Sequence, residues 1–283
     1  MHSHPSDGAV KTADRQVWSM MDARPRAAGT SSRSLRLMTY NIQTGIETND
    51  YHHYLTRSWR HFLPNVERQL NLGRIADVIT EYDFVGLQEV DAGSFRSGFI
   101  NQVEYLSRMA GYGHWYAQTN RNLGKLARHS NGLLSRYRPT AIQEHKLPGM
   151  IPGRGALVMH FGNLRDPLTV VLVHLALGQR TRLRQLDYLA DIISDYRHVI
   201  MMGDFNCLSR SREFELLRSR TDLCEPMHDL HTFPSWRPQQ NIDHILVSPT
   251  LEVLSTTVLD YPLSDHLPVT MQIALPDTLE LTA

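Results

Sequence analysis

From residue 35 onward, apolar and β-branched runs of strand length alternate with a few amphipathic helical stretches, and no strand–helix–strand unit repeats. LRLMTYNI (35–42) alternates as a strand, with Leu35, Leu37 and Thr39 on one face and Met38, Tyr40 and Ile42 on the other. Residues 66–81 place Val66, Leu70, Ile75, Val78 and Ile79 near helical spacing, and residues 181–195 do the same with Leu183, Leu186, Leu189, Ala190 and Ile193. Asn101–Met109 and SREFELLRS (211–219) read as shorter helices. DFVGLQEV, YGHWYAQ, NGLLSRY, TAIQEHKL, RGALVMHF, LTVVLVHL, HVIMMGDFN, NIDHILVS, LEVLSTTV and HLPVTMQIAL read as strands. So many strands and so few helices predict an α/β fold with mixed sheets, not a regular barrel or a solenoid.

The chain has 283 residues, enough for one large domain, and no linker divides residues 35–276. Residues 1–34, rich in Ser, Gly, Pro and Arg and without periodicity, are expected to be a tail, and residues 277–283 a short C-terminal one. Hydrophobic residues make up 41%, which excludes a disordered protein, and 29 basic side chains balance 29 acidic ones, which argues against one coated for bulk binding to nucleic acid or anionic lipid. A local basic patch remains compatible with that balance. No stretch approaches the roughly 20 apolar residues that span a bilayer, and no apolar-aromatic hairpin or lipid anchor is legible. Cys207 and Cys224 do not make a disulfide framework, and the first residues lack a secretory apolar core. Both features fit a cytoplasmic location.

Polar residues fall where apolar runs stop. Asn41 follows LRLMTY, Glu89 follows FVGLQ, His174 follows LTVVLV, and Asp204 and Asn206 follow VIMMG. Asp243 lies in NIDHILV, and Asp265 and His266 precede the last strand. Groups at strand ends of an open α/β sheet converge on one rim, where ligands bind. Acids gathered there repel one another unless a cation compensates them. Each residue also has a local reading: GDFN is good turn chemistry, SDH an Asx turn, and a lone buried His is usually a hydrogen-bonded core residue. The set and its order carry more than any member.

MTYNI, GLQEV, VHL, GDFN, IDHI and SDHLPV, in that order between residues 37 and 270, resemble the signature blocks of the endonuclease/exonuclease/phosphatase superfamily. The resemblance implies a four-layer αββα sandwich of two packed mixed sheets and metal-dependent phosphoester hydrolysis by in-line attack of water. It places Glu89 and Asn41 at Mg²⁺ (Mn²⁺ is the alternative), with Asp265 at a second metal position or near the nucleophile. A hard ion that keeps several waters suits such a donor set. Asp204 resembles the aspartate that orients or deprotonates the water, and Asn206 and His174 resemble residues that touch the phosphoryl oxygens. His266 would donate to the phosphate or move a proton, with Asp243 setting its tautomer. Arg154, in PGRGALV, resembles an arginine that approaches substrate phosphate, and a structural ion pair is the alternative reading.

Two positions depart from the abasic-endonuclease branch, which carries an aspartate where this chain has Gln43 and a tyrosine where it has His174. The deoxyribonuclease, sphingomyelinase and phosphatase branches remain. Residues 48–64 interleave aromatic and basic side chains, and 121–129 (RNLGKLARH) add a second basic stretch. The first also fits a lid packed by its own aromatics and the second a solvated face. The aromatic-basic 48–64 segment leans the expectation toward an endonuclease-like enzyme with nucleic acid as partner, since aromatics stack on nucleobases and basic side chains pair with phosphate. A phospholipid, sphingomyelin-type or inositol-phosphate phosphohydrolase is the alternative, as is a catalytically inactive phosphate- or protein-binding domain.

Overall fold

Leu35 and Leu37 leave one side of the first strand, Met38, Tyr40 and Ile42 leave the other, and both sides are buried. The computed structural model describes residues 34–46, 66–122, 126–149, 153–226 and 230–283. The expectations for residues 1–33, for 48–64 and for part of the 121–129 stretch therefore lie outside the described residues.

One sheet is built from Ser34–Asn41 (β1), Phe84–Asp91 (β2), His114–Asn122 (β3), Arg128–Ser135 (β4), Glu252–Val258 (β10) and Val269–Ala274 (β11). Its order is β10-β11-β1-β2-β4-β3. The second sheet runs in sequence order through Pro139–Lys146 (β5), Gly155–Phe161 (β6), Leu168–His174 (β7), His198–Asp204 (β8) and Asp243–Val247 (β9). β1–β2 and β7–β8 are parallel and every other pair is antiparallel, so both sheets are mixed.

Three apolar clusters define the layers. Leu35, Leu37, Phe84, Leu133, Leu157, Leu172, Met202 and Ile245 fill the space between the sheets. Met38, Tyr40 and Ile42 pack under Val66–Ile79 (α1) and Gln102–Ala110 (α2), on the outer face of the six-stranded sheet. Val158, Val171 and Met201 pack under Gln179–Ile193 (α3) and Arg212–Arg220 (α4), on the outer face of the other. The result is the αββα sandwich that the resemblance implied. No helix among the described residues is long and apolar enough to cross a membrane.

The sheets approach closely at Gly86, where a Cβ would lie 2.6 Å from Leu172 Cδ1. The α1 face differs from its expected one: Leu72, Ile75, Ala76 and Ile79 are buried, while Leu70 is 64% exposed. At 3.6 residues per turn the apolar face runs through Leu72 and Ala76, which a count of large apolar residues alone passes over. Residues 277–283, expected as a tail, lie against the body. Leu279 joins the core between the sheets, and the Arg138 amide donates to the Thr282 carbonyl at 2.7 Å.

Candidate active site

Register places three of the named residues in one row. His174 is the Cα partner of Asp204 across β7–β8, and Asp204 is the partner of Asp243 across β8–β9. Asp243 opens its strand instead of ending it. Because β9 is antiparallel to β8, this start lies on the same rim as the ends of β7 and β8. Neighbouring strands put such residues about 5 Å apart, so alternating apolar patterns that continue to the strand ends deliver the polar residues to one edge.

Asp204 is the hub. Its Oδ2 accepts from Asn41 Nδ2 at 3.1 Å and lies 3.4 Å from His174 Nε2 and 4.0 Å from His266 Nε2. Its Oδ1 accepts from the Asn206 amide at 2.9 Å, closing an Asx turn, and Asn206 Nδ2 donates to the Leu175 carbonyl at 3.0 Å. GDFN is thus turn and site together, with Asn206 held at φ 51°. Burial and then the neighbouring Asp243 push the Asp204 carboxyl up to about 7.

His266 Nδ1 lies 2.7 Å from Asp243 Oδ2, and the Thr232 hydroxyl donates to the same oxygen at 2.5 Å. The Phe233 ring packs on the imidazole, with centroids 4.9 Å apart. Burial opposes charge on His266, but Asp243, Asp204 and Asp265 outweigh it and hold its pKa well above the usual range. His174 moves the other way. Burial, then Arg154, His266 and His129, keep its imidazole neutral. Thr232 was not among the expected residues: eleven positions before Asp243 in a loop, it carries no sequence signal, and only the fold brings it there.

Glu89 sits on a β-bulge. The β2–β4 register shifts between Leu87 and Val90, and Glu89 takes φ 55°. A bulge re-aims a side chain, and a non-glycine residue in the left-handed region costs of order 1 kcal/mol, a strain that gathers at functional sites. Gln88 turns between the sheets to donate to Thr39 Oγ1 at 3.0 Å, and Thr44 Oγ1 donates to the Glu89 carbonyl at 3.0 Å. Among the described residues no hydrogen bond or ion pair holds the Glu89 carboxylate. Ser264 Oγ ties two further groups together, donating to the Asn41 carbonyl at 2.7 Å and to Asp265 Oδ1 at 3.1 Å. Burial lifts Asp265 to about 6, against His266 and with Glu89 adding to the rise. Arg154 is partly buried, and the charges it faces are Asp204 and Glu89.

Asn41, Glu89, Arg154, His174, Asp204, Asn206, Asp243, Asp265 and His266 therefore converge on one rim. The donor set fits a hard divalent cation: two carboxylates, one of them without a hydrogen bond or ion pair among the described residues, and an amide oxygen, with no thiol and with excess negative charge to neutralise. Asp204, Asp243 and His266 also have potential metal-ligand atoms within 4.8 Å of one another, but hydrogen bonding already commits His266 Nδ1 to Asp243.

The known proteins agree with this architecture. The sequence model of the Endonuclease/Exonuclease/phosphatase family matches residues 38–266. No curated protein sequence matches. Among solved structures, an endonuclease/exonuclease/phosphatase from Beutenbergia cavernae superimposes with a TM-score of 0.67 at 22% identity, covering 86% of this chain and 72% of its own. A mannosyl-6-phosphatase of Bacteroides thetaiotaomicron gives 0.64 at 16% identity over 85% of this chain and 100% of its own. ANGEL2, a 2′,3′-cyclic phosphatase, gives 0.64 at 15% identity over 86% and 96%. At these identities the structures establish the fold alone. With the family model spanning the first strand to the last site histidine, the chain belongs to the endonuclease/exonuclease/phosphatase family.

Proposed function

We propose that the site hydrolyses a phosphodiester by in-line attack of water, with Mg²⁺ (or Mn²⁺) held by Glu89, Asn41 and Asp265. The cation supplies charge neutralisation at the phosphoryl oxygens. Asp204, hydrogen-bonded by Asn41 beside His174 and His266, is placed to take the proton of the attacking water. As the water oxygen bonds to phosphorus, the bond to the leaving oxygen breaks. His266, kept protonated by Asp243, gives that oxygen a proton. Asn206, neutral His174 and Arg154 hold the non-bridging oxygens. The products are a phosphomonoester and an alcohol.

The carrying observation is the facing pair Asp204 and His266, 4.0 Å apart. Both are buried, one carboxyl raised toward neutrality and one imidazole held protonated, which is how an acid and a base are prepared in one site. The nucleic-acid form of this reading has its strongest support in residues 48–64, outside the described part, and the described site supports phosphoester chemistry without choosing the groups attached to the phosphate.

The test is hydrolysis of bis(p-nitrophenyl) phosphate, p-nitrophenyl phosphate and supercoiled plasmid with Mg²⁺ or EDTA, by the wild type and His266→Ala. Diester turnover that needs the metal and drops at least a hundredfold in the variant supports the reading. Turnover untouched by EDTA or by the substitution refutes it, and plasmid nicking reports whether nucleic acid is a substrate.

A further inference from the structure

Exposed large apolar side chains are not spread evenly over this molecule. Leu70, Phe95, Phe99, Leu126, Leu177 and Leu208 all lie at the end of the sandwich that carries the site. At the opposite end, among the described residues, Met109, Leu164 and Leu254 are comparably exposed. Single exposed leucines are ordinary, but an accumulation on one functional face marks an interaction surface.

Two of them are built into the site's lip. Leu177 follows His174 by three residues and Leu208 follows Asn206 by two, on adjacent loops that are bonded to each other. The Leu175 amide donates to the Asp204 carbonyl at 2.9 Å, and Asn206 Nδ2 donates back to the Leu175 carbonyl at 3.0 Å. Arg182 bridges the buried Glu213 and donates to the carbonyls of Ala176 and Leu177, so the first loop cannot fold its leucine inward. The second is pinned by His244 Nε2 on the Cys207 carbonyl at 2.8 Å and by the Ser211 amide on the Leu208 carbonyl at 3.0 Å. Leu177 is 76% exposed and Leu208 46%. Across the mouth, Phe95 and Phe99 stand on a turn that Asp91 holds through Ser94 and Ser97, with their rings 6.3 Å apart. These exposures are fixed features, not accidents of loose chain.

Charge is segregated in the same direction. Exposed Arg121, Lys146, Arg180, Arg210, Arg212 and Arg237 all belong to this end, against Glu67, Glu144, Glu215 and Asp260 among the described exposed acids there. A chain with no net charge thus presents a cationic, aliphatic face around its site. Nucleic acid satisfies the cations and can stack on the Phe95, Phe99 and arginine planes, but it leaves the four exposed leucines without a partner. An anionic bilayer satisfies both, because basic side chains are drawn to its headgroups while leucine and phenylalanine enter the acyl boundary.

We infer that this face docks on an anionic phospholipid surface, so that the diester reaching the site is a lipid headgroup. The choice of substrate rests on the hydrolase reading above, whereas the docking itself does not. The test is flotation of the full chain with phosphatidylcholine vesicles, pure or containing about one-third phosphatidylserine. The variants are Leu177→Ser with Leu208→Ser, and Leu164→Ser, a 68% exposed leucine at the opposite end, as the control. The expected result is salt-sensitive binding to the serine-containing vesicles that falls at least tenfold in the paired variant and persists in Leu164→Ser. Absence of binding, or equal loss in the control, overturns the proposal. Binding of a duplex oligonucleotide with no vesicle binding overturns it in favour of nucleic acid. The two readings fail separately: docking by a protein that does not turn over soluble diester refutes the hydrolase, and turnover without docking refutes the membrane surface.

Discussion

Replacing Asp243 by Asn removes one negative charge with almost no change of volume. Asp243 Oδ2 lies 2.7 Å from His266 Nδ1 and 2.5 Å from Thr232 Oγ1. A hydrogen bond to a charged group contributes about 1.5–3 kcal/mol, against about 0.5–1.5 kcal/mol for a neutral pair. The amide therefore leaves the imidazolium short by about 1–1.5 kcal/mol from that bond alone, roughly tenfold in rate. Loss of the buried charge, and an amide nitrogen able to face Nδ1 and impose the wrong tautomer, bring the expected fall in kcat/KM to about 10²–10⁴-fold. The pH profile shifts as well. His266 acts while protonated, so activity is lost as pH rises through its pKa. Among the attractions that outweigh burial, Asp243 leads, so its removal moves that alkaline limb to lower pH. The assay is steady-state hydrolysis of bis(p-nitrophenyl) phosphate across pH at saturating Mg²⁺, with circular dichroism confirming the fold. In a His266→Ala background the same substitution should cost less than about twofold, since both act on one proton. Additive losses, or an alkaline limb that stays in place, refute the coupling.

Gly86→Ala drives a Cβ to 2.6 Å from Leu172 Cδ1 at the sheet–sheet contact and is expected to cost about 1–3 kcal/mol of stability, read by urea denaturation; an unchanged midpoint would contradict the close approach. Glu89→Gly relaxes the φ 55° backbone and removes the Glu89 carboxylate. Its unfolding free energy should rise by up to about 1 kcal/mol while metal-dependent turnover disappears, and a destabilised variant argues against strain at the bulge. His244, 2.5 Å from Glu225 Oε1, is pushed down by burial and up more strongly by Glu225, so its folded pKa exceeds the ordinary 6.5. A raised histidine pKa adds stability that is complete below the ordinary value and lost as pH rises through the folded one. Unfolding free energy should therefore fall above neutrality by about 1.4 kcal/mol per unit of displacement, a slope that His244→Gln removes; equal slopes in the two proteins would dismiss the pair as a source of stability.

Much of the layering was legible because side-chain direction in a strand is local. Alternation in LRLMTYNI separated Leu35 and Leu37 from Met38, Tyr40 and Ile42, and the two groups enter different clusters. The Leu186, Leu189, Ala190 and Ile193 face of α3 followed from spacing in the same way. Leu70 was misplaced, because the number of apolar residues outweighed the angle at which they project. The grouping of Leu177, Leu208, Phe95 and Phe99 carried no sequence signal: they lie far apart along the chain, and only their loops bring them to one end.

The candidate site divides along the same line. Order and type of residue, from Asn41 to His266, made the family's blocks legible, while each residue taken alone fitted a turn or a hydrogen-bonded core equally well. Tertiary structure alone decided which oxygen meets which nitrogen: Thr232 on Asp243, Asn41 on Asp204, and the left-handed turn that aims Glu89. It also decided where the balanced charges go, placing arginines around the mouth of a chain whose net charge is zero. Hydrogen bonds and fields act over a few ångströms in space, and no spacing along the chain encodes a distance between residues that strand register and sheet packing have still to bring together.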